Sequence, residues 1–175
     1  EIDTSIEPFF AEITDDMGDY EVALKLYEKI ISLLDYDTIA LKEQKSSKTR
    51  NRVKTPDDLR SIYGAIVSHK AVCAGYAAAY QFLLQKFGLE ALYVCGQCHD
   101  GGYHAWSVVR LEGDYYHVDA TWGDRSNTDP SLSHRGMTYA YFGLTDEQIR
   151  RSRAIDTEPP TPPCTAEGCN YFVRE

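Results

Sequence analysis

His104-Ala-Trp-Ser-Val-Val-Arg110 and Asp114-Tyr-Tyr-His-Val-Asp119, joined through Leu111-Glu112-Gly113, read as two β-strands around a tight turn. Both runs are rich in β-branched and aromatic residues, and Glu112-Gly113 supplies the turn chemistry between them. With a two-residue loop Leu111 faces Asp114, so Trp106 faces Asp119 and His104 faces Thr121. Asp119 is then the diagonal same-face neighbour of His104. Diagonal Cβ atoms lie about 7–8 Å apart, a gap that an imidazole and a carboxylate close with one hydrogen bond. A three-residue loop would turn Asp119 to the opposite face. The hairpin therefore predicts an antiparallel sheet that carries a His–Asp pair.

Working outward, Cys73 stands in Val72-Cys73-Ala74-Gly75-Tyr76-Ala77, directly before a helical run from Ala74 to about Phe87 that Gly88 stops. A cysteine there faces unpaired backbone amides and the positive end of a helix, both of which favour the thiolate. Each of the three residues has an ordinary reading alone: a small buried hydrophobe, a satisfied polar side chain, a turn residue. Together they supply a nucleophile, a base and an orienting carboxylate, each in a compatible local setting. The reading is that Cys73 attacks an amide carbonyl, His104 protonates the departing amine and Asp119 fixes the His104 tautomer. The Cys73 backbone amide is the first oxyanion donor. Tyr103, Trp106 and His117, on the same two strands, are candidates for substrate contact. Asp119→Asn is expected to keep the fold and to weaken turnover.

Composition bounds the partners. The chain has 175 residues, 18 Lys and Arg against 27 Asp and Glu, a net charge of −9 and 13 Tyr. That surplus of acid argues against a nucleic-acid partner, since phosphate neutralisation needs a basic face. The basic stretch Lys42 to Lys54 lacks aromatic residues and reads as a solvated loop. No apolar run reaches the roughly 18 residues of a spanning helix, so no membrane span is expected. The sequence opens at Glu1 without Met, and Cys95/Cys98 and Cys164/Cys169 form two close pairs that leave Cys73 as the odd thiol. Both features are read as export to an extracellular or cell-surface location, with the two pairs closed as disulfides.

Rival chemistry is weaker. Cys95-Gly-Gln-Cys98 has redox spacing, but it ends an apparent strand instead of opening a helix. A structural zinc on Cys95, Cys98, Cys164 and Cys169, with or without His99, fits by ligand type. Asp124, Asn127 and Asp129 lack the Gly and terminal Glu of a calcium loop. No cofactor or metal is expected for the chemistry itself.

Along the chain, residues 1–54 read as an N-terminal helical segment and polar loop, with a helical face from Glu21 to Leu34 and a loop from Asp35 to Lys54. Residues 55–175 read as the core with its tail. Thr55-Pro56-Asp57-Asp58 starts a short helix to about Val67, and Leu89 to Gly96 is a strand. Thr138 to Phe142 is read as a strand, Thr145-Asp146-Glu147 as a helix start, Glu158 to Pro163 as an extended connection and Asn170 to Val173 as an edge strand.

Val72-Cys-Ala-Gly-Tyr-Ala77, Tyr103-His-Ala-Trp-Ser107 and Tyr115-Tyr-His-Val-Asp-Ala-Thr-Trp-Gly-Asp124 resemble the transglutaminase-like superfamily over roughly Thr55 to Arg153. Tyr141 to Asp146, with Asn170-Tyr171-Phe172, resembles the tail of bacterial cysteine peptidases of that kind. The resemblance implies an α+β, papain-like fold with helices packed on an antiparallel sheet, and it matches Cys73, His104 and Asp119 to the family's triad. It implies a cysteine-dependent amide hydrolase or acyltransferase acting on a peptide, protein or cell-wall amide. The alternative is a non-catalytic peptide- or wall-binding module of the same fold. Ser107 stands where the family commonly has Asn, and its side chain points away from His104. Papain-like enzymes place a Gln or Trp upstream of the Cys as second oxyanion donor. None lies between Arg60 and Val72, so that donor is unassigned, with Tyr63 and His69 as candidates.

Overall fold

The hairpin has the register that its turn dictates: Leu111 pairs with Asp114, Val109 with Tyr116 and Ser107 with Val118. Glu112 and Gly113 both take positive φ, 52° and 99°, the pair of left-handed residues whose twist suits a two-residue loop. The computed structural model describes residues 2–38, 57–127 and 136–175. In chain order its helices are α1 Ile2–Ser5, α2 Glu7–Phe10, α3 Asp19–Leu33, α4 Ile62–Ile66, α5 Cys73–Lys86, α6 Ala120–Gly123, α7 Asp146–Ile149 and α8 Tyr171–Arg174. Its strands are β1 Asp35–Tyr36, β2 Lys70–Ala71, β3 Ala91–Gln97, β4 Tyr103–Leu111, β5 Asp114–Val118 and β6 Phe142–Leu144. The last four form one antiparallel sheet in the order β3-β4-β5-β6, while β1 and β2 pair in parallel. This is an α+β fold with helices against an antiparallel sheet, as expected.

Each face of the sheet has its own core. On one face Ala91, Val109, Leu111, Tyr116 and Val118 pack with Leu26, Ile30 and Ile31 of α3 and Tyr80, Leu83 and Leu84 of α5. Burying each such leucine contributes about 1.5–3 kcal/mol. The buried tyrosines find acceptors, as Tyr80 does at the Ala23 carbonyl (2.8 Å) and Tyr27 at the Thr138 carbonyl (2.6 Å). On the other face Val94, Trp106 and Val108 are covered by Ile149, Ile155 and Cys164. The covering chain is stitched to the strand edge: His99 N–H donates to Ser152 O (3.0 Å), Ala154 N–H to Gln97 O (2.9 Å) and Asp156 N–H to Cys95 O (3.0 Å).

Gly96 makes that close approach possible, because a Cβ there would meet the Ala154 carbonyl oxygen at 1.9 Å and the Trp106 ring at 2.9 Å. Neither neighbour is a free side-chain end. Gly96→Ala is expected to lower stability by about 1–3 kcal/mol, the usual range for overpacking. A urea midpoint unchanged from the wild type contradicts it.

Several expectations are corrected. Thr138 to Tyr141 is no strand: Phe142 N–H closes a turn on Tyr139 O (3.1 Å), and the strand begins only at Phe142. Asn170 to Val173 is not an edge strand, because the Asn170 side chain accepts from Phe172 N–H and caps a helix. Asp35 and Tyr36 were read as loop and instead form β1, too short to show a period. Residues 39–56, with the basic stretch and the expected helix start at Thr55-Pro56, lie outside the described residues, as do Asp129 and His134. The helix expected up to Val67 is broken at Ser61, which caps α4.

All five cysteines are free thiols, so the expected disulfides are absent. Cys95 and Cys98 stand an odd number of residues apart at a strand end, which sends them to opposite faces. Cys164 lies in the smaller core, whereas Cys169 belongs to the larger one. The cysteine ground for export falls with the pairing. Among the described residues no helix is long and apolar enough to cross a membrane.

Candidate active site

Cys73 is the first residue of α5, after an extended Val72 that provides no side-chain cap. Gly75 and Tyr76 N–H donate to Val72 O (2.9 and 3.1 Å), whereas the Cys73 and Ala74 amides lack helical acceptors and point at whatever occupies the helix start. The Cys73 thiol, partly exposed, lies close enough to His104 and to the backbone N–H of Ala105 for both to act on its pKa. Burial pushes the thiol up, but the His104 hydrogen bond and charge and the Ala105 amide outweigh it, leaving the pKa below the ordinary 9.0.

His104 lies at the start of β4, and its Nε2 is 2.8 Å from Asp119 Oδ2. Nδ1 is thus the ring nitrogen left to face the thiol. Burial opposes a charged ring here, yet the Asp119 carboxylate and the Cys73 sulfur raise the His104 pKa to about 9. Asp119 ends the second hairpin strand and caps α6, where its Oδ1 accepts from Trp122 N–H at 3.1 Å. Fully buried, it would be pushed up, but His104 and Arg153 beside it hold it down at about 2. A carboxylate, an imidazolium and a thiol of lowered pKa therefore share one site.

Arg153 was not foreseen. Its Nη1 meets the same Asp119 Oδ2 at 2.5 Å, and the side chain is wholly buried. The guanidinium lies 4.0 Å from the Trp122 ring centre and 4.9 Å from that of Trp106. Two aromatic faces and one carboxylate offset the cost of burying a full charge. Nothing near Arg153 in the sequence signals this, since an arginine in a polar tail ordinarily reads as solvated. It reaches the site because the 152–156 segment runs along β3.

Trp106 and His117 are buried, not open to substrate. Trp106 stacks on His104, with ring centroids 6.1 Å apart and planes at 16°. Its Nε1 donates to His117 Nδ1 at 2.9 Å, and His117 Nε2 lies 2.8 Å from Asp146 Oδ1. His117, read as a candidate for substrate contact, instead accepts from the indole and braces it. Among the described residues His117, Asp146 and Cys164 are also a group whose possible ligand atoms lie within 4.8 Å of one another. The tautomer argues against a metal there. Indole N–H can only donate, so Nδ1 presents its lone pair and the ring proton sits on Nε2, aimed at Asp146. A metal on Nε2 would force that proton onto Nδ1, against the indole N–H.

Burial holds His117 below its ordinary 6.5, against the opposing pull of Asp146. The unfolded chain then takes up the proton first, so stability falls as pH drops below 6.5 towards the folded value. Urea midpoints across that window should fall with pH in the wild type and fall less in His117→Gln. Equal slopes would contradict this.

A cleft of about 680 Å³ opens beside His104, lined also by Tyr36, Trp122, Asn127 and Tyr141. Tyr36 lies close enough to Cys73 for the Cys73 charge and backbone amide to act on its phenol. Tyr103 is 63% exposed and hydrogen-bonds Asp156, so it remains open to a ligand. Of the two suggested oxyanion donors, His69 packs edge-on against Phe9 at 5.9 Å, and Tyr63 is 42% exposed on α4. Asp124 is buried and accepts from Tyr76 (3.0 Å), while Asn127 Nδ2 donates to Thr121 O (2.8 Å). Both are thereby engaged in packing the loop.

A family model described as the transglutaminase-like superfamily matches residues 9–120. The sequence is 32% identical over 101 residues to the kyphoscoliosis peptidase of Homo sapiens, covering 51% of this chain and 14% of that protein. It is 30% identical over 117 residues to the kyphoscoliosis peptidase of Mus musculus, covering 61% and 16%. This chain therefore corresponds to a small part of either relative. A solved structure described as that of a TGase superposes with a TM-score of 0.55 at 20% identity, over 69% of this chain and 30% of that one. That likeness is one of fold.

Proposed function

The chain belongs to the transglutaminase-like superfamily, and from that premise we propose that it is a thiol acyl-transfer enzyme, with Cys73 as nucleophile, His104 as proton carrier and Asp119 as orienting carboxylate. The observation that carries this reading is the His104 Nε2 to Asp119 Oδ2 hydrogen bond at 2.8 Å, with the Cys73 thiol near enough to His104 for the imidazole to lower its pKa. Thiolate and imidazolium coexist as a pair between the lowered pKa of Cys73 and the value near 9 of His104. No base is then needed to create the nucleophile.

The thiolate attacks the carbonyl carbon of an amide, and a tetrahedral intermediate forms with its oxygen at the Cys73 backbone N–H. As the C–N bond breaks, His104 hands its proton to the departing amine. A thioester on Cys73 remains. His104, now neutral, takes a proton from an attacking water or amine. The C–S bond then breaks, Cys73 leaves as the thiolate beside the His104 imidazolium, and a free acid or a new amide is released. Hydrolysis is the outcome proposed, with a peptide or protein amide as substrate. The peptidase name of the two curated relatives supports it.

The test is acid quenching of the protein after mixing with a library of peptide amides, followed by mass mapping. An acyl adduct confined to the peptide that contains Cys73 is expected. A free-acid product that persists when a primary amine is added marks hydrolysis, and amine incorporation marks transamidation. A Cys73 that forms no adduct and alkylates no faster than a free thiol contradicts the enzyme reading and favours a non-catalytic binding module.

A further inference from the structure

Tyr36 is fixed from both sides. Asp35 N–H donates to His69 O at 2.8 Å and Asp37 N–H to Ala71 O at 3.0 Å, which pairs Tyr36 with Ala71, two residues before Cys73. Its ring centroid lies 6.0 Å from that of Tyr76, in the first turn of the Cys73 helix. The Tyr76 hydroxyl in turn donates to Leu34 O at 3.2 Å, tying the start of β1 to that helix. Held in this way, the Tyr36 phenol lines the same cleft as His104, close enough to Cys73 for its charge and backbone amide to act on the phenol. As the first amide of its helix, that N–H has no helical acceptor and is free to serve a developing oxyanion.

We propose that Tyr36 is a catalytic residue, the second oxyanion donor, whose hydroxyl and the Cys73 backbone N–H together hold the carbonyl oxygen as it becomes negative. The proposal rests on the reading of Cys73 as the nucleophile. As the thiolate adds to the carbonyl carbon, the C=O π pair moves onto oxygen. The Cys73 N–H then donates to the new oxyanion, and the Tyr36 O–H donates to it as well. When the intermediate collapses the pair returns, the C–N bond breaks, and the proton on the leaving amine comes from His104. Tyr36 keeps its own proton throughout. Burial first, and then the neighbouring Cys73 charge, hold the phenol above its ordinary 10.0, so it stays a donor wherever the ion pair exists. Neither His69, turned to Phe9, nor the exposed Tyr63 has comparable access.

Two probes of one thiol separate this role from a structural one. Iodoacetamide alkylates Cys73 by displacement at a saturated carbon, which needs no oxyanion hole. p-Nitrophenyl acetate acylates it through a tetrahedral oxyanion, releasing p-nitrophenolate. In Tyr36→Phe the acylation rate is expected to fall about 10²–10³-fold, the usual cost of one lost oxyanion donor, while alkylation keeps its wild-type rate. Equal acylation in Tyr36→Phe and wild type overturns the proposal and leaves Cys73 as nucleophile. A parallel fall in both probes overturns it too, because the phenol then only supports the helix start. A wild-type Cys73 slow in both probes overturns the nucleophile reading, and this proposal with it.

Discussion

Cys73→Ala will keep the fold and lose acyl transfer, with a fall on the order of 10⁴–10⁶-fold in turnover. Residues acting as one unit are not additive, and the nucleophile is the member without which the others have nothing to do. The change removes one partly exposed sulfur atom from a helix start that packing of α5 already fixes. Stability should therefore stay within about 1 kcal/mol of the wild type, as for substitutions that open no large cavity. His104→Ala should lose activity on a similar scale. Turnover and urea midpoints measured on the same preparations check both halves. Residual turnover within tenfold of wild type would remove Cys73 from the chemistry.

Removing Asp119 is expected to damage the fold more than the chemistry alone requires. The sequence suggests that Asp119→Asn is structurally mild, but Arg153 changes that expectation. Its guanidinium is fully buried, its Nη1 depends on Asp119 Oδ2, and its Nη2 has no partner among the described residues. Taking away one member of a buried pair typically costs about 3–5 kcal/mol, because the other charge is left uncompensated. Against a total stability of about 5–15 kcal/mol, that is a large fraction. Asp119→Ala and Arg153→Ala should each show it, and Asp119→Asn to a lesser degree. The double variant Asp119→Asn with Arg153→Met should recover much of the loss, since no buried charge then remains. It should stay nearly inactive, because His104 has lost its orienting carboxylate. Strictly additive urea midpoints across this cycle would show that the pair does not couple.

How much was legible follows the range of the interactions. The hairpin was readable because Glu112-Gly113 is a local device and the strand period then fixes the facing residues out to Ser107 and Val118. The expected facing of His104 by Thr121 fails, because Asp119 ends the strand by capping the helix Ala120–Gly123. The start of the Cys73 helix and its stop at Gly88, with φ of +78°, were readable for the same reason. Arg153 and Tyr36 were not, since each reaches the site through chain that carries no period. Arg153 arrives on an irregular segment that follows the edge of β3, and Tyr36 on a two-residue parallel pairing. Asn170 shows a different failure: its short polar side chain serves a strand end or a helix cap, and the stacking of Tyr171 on Tyr139 at 3.9 Å belongs to the helix. The cysteine pairs misled because close spacing in sequence was taken for closeness in space.

The pH dependence of Cys73 alkylation by iodoacetamide, in wild type and in His104→Ala, tests the central claim most directly. With Cys73 lowered below its ordinary 9.0 by His104, itself raised to about 9, the wild-type rate should begin to rise at a lower pH than in His104→Ala. In His104→Ala the burial of the thiol loses its largest opponent, so the rise should move to higher pH. Two superimposable profiles that both climb near pH 9 would contradict the thiolate–imidazolium pair.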